Sequence, residues 1–144
     1  MKAMSTRLFV SYTLRDNILN KEKLSVFKNA LSKLHFLTTY IDILDNKNTA
    51  SPQDEVINRL IDADVVWLIK SSAEFFKSEW VKREIEIANE YKKSIYEIGV
   101  DFVDSIIQAK SEDALLNIVN TYLDCVTSET ISVFNQNNTA FSIA

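Results

Sequence analysis

The segment Val65–Ile69 (VVWLI) is apolar at five successive positions. A strand with one face in water alternates apolar and polar residues, so an unbroken apolar run predicts a strand that is covered on both faces. Coverage of this kind is typical of parallel sheets, in which the crossover helices lie on both sides. The run therefore favours an α/β domain.

Strand and helix patterns alternate along the rest of the chain. Apolar and β-branched segments predict three further strands, at 7–12, 36–44 and 95–100. Apolar residues at helical spacing predict helices over 24–34, 52–61, 79–93, 101–109 and 112–123. This alternation predicts an α/β three-layer sandwich with a mostly parallel sheet.

The composition excludes several classes of site. The chain has 144 residues, the size of one domain, with a single glycine (Gly99), a single histidine (His35) and a single cysteine (Cys125). A glycine-rich phosphate loop needs several glycines at fixed spacing, so neither the P-loop nor the dinucleotide-binding type can occur. An ordinary zinc site and a Cys/His catalytic pair are also excluded, and no metal is expected. Carboxylates, hydroxyls and aromatic rings remain as the groups that could carry chemistry.

The net charge of −4 argues against two kinds of polyanionic partner. Proteins that bind duplex nucleic acid or anionic membranes normally present a basic surface. No apolar run approaches the length of a membrane-spanning helix, and the first residues lack the apolar stretch of a signal peptide. With only one cysteine, these features predict a cytoplasmic protein without a nucleic-acid or membrane partner.

One carboxylate lies where the helical pattern predicts an apolar side chain. On a helical wheel of the segment 79–93 the apolar residues fill one arc, and Glu84 falls inside it, whereas the other glutamates lie opposite. A buried carboxylate needs a partner or a cleft, and desolvation raises its pKa, which suits a catalytic group. The alternative is a structural glutamate bonded to a backbone amide or an arginine. Trp80 lies one turn earlier on the same face, so we expect the ring and the carboxylate to line one surface.

Four more polar side chains lie at the carboxyl ends of predicted strands, where ligands bind in parallel α/β sheets. Ser11 and Tyr12 end the first strand, and their hydroxyls could reach a ligand or cap a turn. Asp42 and Asp45 follow in the second strand region, and could orient a ribose, bind a cation or be solvated in a loop. Together with Glu84, these residues form a candidate site at one rim of the sheet.

Four segments of the chain form a pattern by their order and spacing. They are Phe9–Tyr12, Tyr40–Asp42, Asp54–Val65 and Ser78–Ala88. These segments resemble, in turn, the opening F-x-S-Y strand, the I-D strand before a mobile loop, the helix-to-strand passage and the S-x-W-x-x-x-E helix of a Toll/interleukin receptor (TIR) domain. The resemblance covers about residues 5–100, roughly two-thirds of the chain.

The resemblance implies a flavodoxin-like fold with a five-stranded parallel sheet. Enzymatic TIR domains cleave NAD+ at the nicotinamide–ribose bond, releasing nicotinamide and either ADP-ribose or a cyclic isomer of it. Their catalytic glutamate corresponds to Glu84 and their tryptophan to Trp80, and the resemblance places Phe9, Ser11 and Tyr12 around the nicotinamide-ribose pocket. We expect a TIR domain at 1–128, followed at 129–144 by a tail that adds a strand or serves as a docking segment.

The function expected from this resemblance is that of an NAD+ nucleosidase, a glycohydrolase or cyclase for which NAD+ is the substrate and no cofactor is needed. Such domains self-associate through TIR–TIR contacts. A standalone domain also resembles the TIR subunits of bacterial antiphage systems such as Thoeris, which signal to a separate effector protein. Two alternatives stay open: a non-catalytic TIR adaptor, which would not need an acid on this face, and a nucleoside deoxyribosyltransferase-like enzyme, which would take a nucleoside.

Overall fold

The apolar run forms a strand in which all five residues are buried, as its composition predicts. In the computed structural model, which describes residues 6–123, this strand lies inside a parallel four-stranded sheet. The spatial order of the strands is β2-β1-β3-β4. Their bounds are β1 (Thr6–Ser11), β2 (Leu37–Ile41), β3 (Val65–Ile69) and β4 (Ser94–Ile98).

Helices connect these strands, so the predicted alternation and the parallel sheet are confirmed for the described residues. The α-helices are α1 (Lys21–Leu31), α2 (Asp42–Asp45), α3 (Pro52–Asp62), α4 (Glu79–Glu90), α5 (Val100–Gln108) and α6 (Glu112–Val119). Short 3₁₀ turns lie at Ala73–Lys77 and Asn120–Tyr122.

The strands separate two apolar cores because successive side chains point to opposite faces. On one face, the strand residues pack under α1, α5 and α6, and Trp67 donates a hydrogen bond from Nε1 to the carbonyl oxygen of Tyr122 at 2.9 Å. On the other face, Phe9, Val66 and Leu68 pack under α3 and α4. The described residues therefore form a three-layer α/β sandwich.

The strand order reverses direction between β1 and β3. From β1 the chain passes through α1 to β2 on one side, and then crosses back to β3 on the other side. In open α/β sheets such a reversal leaves a crevice at the carboxyl ends of the strands, where ligands bind. The residues that follow Ser11 therefore lie at the favoured position for a site.

The predicted strand at 36–44 is wrong at its carboxyl end. The strand stops at Ile41, and Asp42–Asp45 form the single turn α2. Asp45 closes this turn because its Oδ2 accepts a hydrogen bond from the backbone N–H of Ile41 at 2.8 Å. Ile43 and Leu44 still pack against the core, which explains why the apolar pattern continues beyond the strand.

The predicted helix at 79–93 ends earlier, at Glu90. Lys92 adopts a left-handed backbone conformation with φ of 56°, and helical geometry cannot continue through it. The N–H of Lys93 turns back to the carbonyl oxygen of Ala88 at 2.9 Å. This closure directs the chain into β4.

Between residues 6 and 123 the sheet has four strands, so the five-stranded sheet stays a prediction. The tail at 129–144 lies outside the described residues, and so does its suggested extra strand. None of the helices in the described part of the chain has the length and apolar content that a membrane crossing requires.

Lys93, which follows α4, contacts the carboxyl end of α3. Its ammonium donates hydrogen bonds to the carbonyl oxygen of Ile61 and, at 2.7 Å, to that of Ala63. These carbonyls lie at the carboxyl end of α3, where unpaired backbone acceptors and the helix dipole both favour a cation. Lys93 thus links the end of α3 to the segment that follows α4.

Replacing Lys93 with methionine should lower the free energy of unfolding by about 1–3 kcal/mol, because the carbonyls of the half-buried Ile61 and the buried Ala63 lose a charged donor while the aliphatic stem is kept. Urea denaturation followed by circular dichroism measures the effect. Lys92→Met is the matched control, since Lys92 is exposed, and it should change stability by less than about 0.5 kcal/mol. Equal losses in the two variants would contradict the linking role of Lys93.

Candidate active site

A buried hydrogen bond joins the end of β1 to the middle of α4. The hydroxyl of Ser11 donates to Oε1 of Glu84 at 2.7 Å, and the two side chains are only 1% and 6% exposed. The contact brings together residues 73 positions apart in the sequence. It is the polar centre of the candidate site.

Helix periodicity explains why Glu84 points inward. The helix α4 begins after Ser78, whose Oγ accepts a hydrogen bond from the backbone N–H of Val81 at 3.2 Å. From this start, Val81, Glu84 and Ala88 fall on one face at spacings of three and four, and all three are buried. The predicted position of Glu84 inside the apolar arc is confirmed.

Burial raises the pKa of Glu84 from its ordinary value of 4.5 to about 7, because removal from water penalises the charged form. The hydrogen bond from Ser11 opposes this shift, the negative charge of Asp42 adds to it, and the interaction with Trp80 opposes it. At neutral pH the side chain therefore exists in both protonation states. Such a group can hold either a proton or a charge that a bound molecule stabilises.

The turn α2 supplies a second carboxylate, Asp42. Its Oδ1 accepts hydrogen bonds from the hydroxyl of Tyr40 at 3.2 Å and from Nδ2 of Asn46 at 2.8 Å. Burial and the charge of Asp42 both raise the pKa of Tyr40, which keeps its hydroxyl protonated as a donor. Asp42 is thus held in place by two neutral donors.

Tyr12 connects the end of β1 to the same turn. Its hydroxyl oxygen accepts a hydrogen bond from the backbone N–H of Ile43 at 2.9 Å. Burial raises the pKa of Tyr12, and the negative charges of Asp42 and Glu84 add to the effect, so the phenol stays neutral. The ring is half-buried and packs against the core beneath α1.

A cavity of about 180 Å³ opens beside these groups at the carboxyl end of β1. The chain segment after β1, the turn α2 and the first two turns of α4 all contribute to its walls. Its lining residues are Val10, Ser11, Tyr12, Thr13, Leu14, Arg15, Asp42, Ser78, Trp80 and Glu84. Five of the seven residues that the sequence singles out are therefore gathered around one opening.

The other two lie elsewhere. Phe9 is 1% exposed and stacks on Tyr40, with ring centroids 5.6 Å apart, inside the core beneath the cavity. Asp45 accepts from the ammonium of Lys28 on α1 and from the backbone N–H of Ile41 at the end of β2. In this structure Phe9 is a core residue that does not line the cavity, and Asp45 closes the turn that carries Asp42.

The sequence places the segment 11–15 at the rim where a site is expected, but it assigns no role to Thr13, Leu14 and Arg15, which line the cavity. They belong to the loop after β1 and have no periodic pattern. The only available signal is their position after a strand at the ligand-binding rim.

A second polar contact ties this loop to the loop after β3. Oδ2 of Asp16 accepts hydrogen bonds from the hydroxyls of Ser71 and Ser72, both at 2.6 Å, and Oδ1 accepts from the N–H of Ile18 at 3.1 Å. Desolvation raises the pKa of Asp16, but these hydrogen bonds outweigh it and hold the pKa below its usual value. We call this cluster of Asp16, Ser71 and Ser72 the loop clasp.

No protein-family model matches the chain, and no curated protein matches it. The TIR resemblance therefore stays a prediction. Within residues 6–123, no group of three or more histidine, cysteine, aspartate or glutamate side chains could hold a metal ion.

The pKa of Glu84 is higher in the folded protein than in the unfolded chain. Between about pH 4.5 and 7 the folded protein therefore keeps a proton on this carboxyl group, whereas the unfolded chain releases it. Stability should fall as the pH rises through this window, and Glu84→Gln should remove that loss. We expect the stability of Glu84→Gln relative to the wild type to grow by about 2–3 kcal/mol between pH 5 and pH 8.

Urea denaturation at the two pH values measures this difference. Glu86→Gln, the same change at an exposed position of α4, is the control and should show no such pH dependence. A constant difference between Glu84→Gln and the wild type would mean that the carboxylate is ionised at both pH values.

Proposed function

We propose that the chain is a TIR domain of flavodoxin-like fold that cleaves NAD+ at the nicotinamide–ribose bond. The observation that carries this proposal is the buried Glu84 carboxylate, held by Ser11 beside a cavity at the reversal point of a parallel sheet. Glu84 and Trp80 also occupy the positions that the family resemblance assigns to its catalytic glutamate and its tryptophan. NAD+ is the substrate in this proposal, and no resident cofactor is required.

The proposed reaction breaks the bond between C1′ of the ribose and the ring nitrogen of nicotinamide. Both bonding electrons leave with the ring, which departs as neutral nicotinamide, and the ribose becomes an oxocarbenium-like cation. An ionised Glu84 beside this ribose would stabilise the developing positive charge, and would accept hydrogen bonds from the sugar hydroxyls. Attack by water at C1′ then gives ADP-ribose and a proton, whereas attack by a nitrogen of the adenine gives a cyclic isomer.

Two neighbours of Glu84 support this role. Asp42 adds a second negative charge to the cavity, so a cationic pyridinium ring would be attracted to it more strongly than a neutral base. Trp80 is half-buried in the cavity wall and offers a flat apolar surface against which a planar ring can pack.

As a TIR domain, the protein would act in the cytoplasm and self-associate through TIR–TIR contacts. Its product would serve as a signal to a separate effector protein in bacterial antiphage defence.

Incubation with NAD+ at high protein concentration, followed by mass spectrometry, tests the activity and identifies the second product. Glu84→Gln should lower the rate of nicotinamide release at least about a hundredfold, because the cation in the transition state loses its counter-charge. The matched control Glu86→Gln, on the same helix but exposed, should keep the wild-type rate.

Other outcomes would favour the alternatives. Cleavage of neutral deoxynucleosides but not of NAD+ would favour a deoxyribosyltransferase-like enzyme. Absence of all cleavage, combined with concentration-dependent self-association, would favour a TIR adaptor in which Glu84 and Ser11 are structural.

The dependence of the activity on pH provides a second test. The value of kcat/KM should rise with pH and reach half of its maximum near pH 7, because the free enzyme must ionise Glu84. The profile of kcat should lie at lower pH, since the positive charge on the pyridinium ring of bound NAD+ would lie beside Glu84 and favour the ionised carboxylate. In Ser11→Ala the kcat/KM profile should move to higher pH, because the hydrogen bond that favours ionisation is lost. A flat profile between pH 5 and 9 would exclude Glu84 as the ionising group.

A further inference from the structure

The exposed rim of the cavity carries an arginine without an acidic partner. Arg15 lines the opening and is exposed to solvent. Within residues 6–123, Arg7 pairs with Asp64 and Arg59 with Glu55, whereas Arg15 and Arg83 make no ion pair with any described residue. Of these two unpaired arginines, only Arg15 lines the cavity. Its donors are therefore available to a ligand in the cavity.

The backbone around Arg15 is fixed on both sides. Its N–H donates to Oγ1 of Thr13 at 3.2 Å, and Thr13 is 5% exposed. The next residue, Asp16, is held by the loop clasp through Ser71 and Ser72. The side chain thus extends from a fixed base at the rim, so that binding an anion would order only the arginine side chain itself.

Burial places the charges of the cavity at different depths. Glu84 and its partner Ser11 are almost completely buried and form the floor, Asp42 is half-buried, and Arg15 is exposed at the rim. A negative floor beneath a positive rim complements a molecule with a cation at one end and an anion at the other. Such a molecule is a pyridinium ribonucleotide, in which a sugar separates the cationic ring from the 5′-phosphate.

We propose that Arg15 binds the 5′-phosphate next to the cleaved ribose, and that the pyridinium–ribose–phosphate unit is therefore sufficient as a substrate. This inference rests on the proposed function and deepens it by naming the part of the substrate that the cavity recognises. Guanidinium suits the task because its planar N–H groups match two phosphate oxygens at once.

The size of the cavity agrees with recognition of a part of the substrate. Its volume of about 180 Å³ is below the roughly 300–1,000 Å³ of pockets that enclose a drug-sized ligand. A ring and its sugar would occupy the cavity, the phosphate would lie at the rim against Arg15, and the second nucleotide of a dinucleotide would lie outside it. Cleavage of a pyridinium mononucleotide would then proceed as for NAD+: the bond from C1′ to nitrogen breaks with its electrons leaving on neutral nicotinamide, and water supplies a hydroxyl group to C1′ and releases a proton.

Steady-state kinetics with three substrates and four proteins tests the inference. The substrates are NAD+, nicotinamide mononucleotide and nicotinamide riboside, of which the last has the cationic ring but no phosphate. The proteins are the wild type, Arg15→Gln, Arg15→Lys and the control Arg83→Gln, which removes an exposed arginine of α4 that does not line the cavity.

We expect the wild type to cleave the mononucleotide, with a KM for it about tenfold below that for the riboside. Arg15→Gln should raise KM for NAD+ and for the mononucleotide about tenfold while leaving kcat and the riboside kinetics nearly unchanged. The KM values of Arg15→Lys for NAD+ and the mononucleotide should lie between those of the wild type and Arg15→Gln, because lysine keeps the charge but lacks the planar guanidinium. Arg83→Gln should have the same KM values as the wild type.

Two results would overturn this inference without affecting the proposed function. One is cleavage of NAD+ by the wild type without measurable cleavage of the mononucleotide. The other is a KM for the riboside that rises in Arg15→Gln as much as the KM for the mononucleotide, which would show that Arg15 acts on the shape of the loop. If the wild type cleaves none of the three substrates, the proposed function fails, and the assignment of Arg15 fails with it.

Discussion

Two-sided burial of the sheet centre is the constraint on which the rest of this structure depends. Because β3 has apolar side chains on both faces, helices must cover both faces, and the chain must cross over the sheet between strands. Polar groups cannot be accommodated along such strands without loss of hydration, so they collect where the strands end. The cavity, its two carboxylates and Arg15 all lie at one of these ends.

Within this frame, the depth of burial determines what each polar group can do. Glu84 lies deep enough for desolvation to raise its pKa to about 7, yet Ser11 supplies the hydrogen bond that a buried oxygen needs. Asp42, closer to the surface, is held by Tyr40 and Asn46. The same small cavity therefore contains two carboxylates with different surroundings. Under this condition the pKa of one, Glu84, can suit proton or charge transfer in a reaction, while the other, Asp42, contributes a negative charge.

Much of this architecture is predictable from the sequence, because apolar periodicity reports burial directly. The strands, the parallel sheet and the inward position of Glu84 all follow from it. The turn α2 and the end of α4 do not, since they depend on the Asp45 carboxylate reaching back to the backbone of Ile41 and on a left-handed Lys92. Phe9 lies on the same face of the sheet as Ser11 but two residues earlier in β1, and at that distance from the strand end its side chain is in the core. Arg15 is on a loop, where position depends on individual hydrogen bonds rather than on a repeating pattern.

The loop clasp has a mechanical consequence for the opening of the cavity. A single oxygen of Asp16 accepts both serine hydroxyls, so the loop after β1 and the loop after β3 share one attachment and have fewer independent degrees of freedom than two separate loops. Any movement that widens the cavity on this side must shift both loops together or break two short hydrogen bonds to a carboxylate at once. The opposite wall is attached differently, because α2 is held by several separate contacts: Ile43 donates to Tyr12, Asp42 accepts from Tyr40, and Asp45 accepts from Lys28 and from the N–H of Ile41. Loss of the Asp16 carboxylate would therefore release two loops at once, whereas loss of any one contact of α2 would leave the others in place.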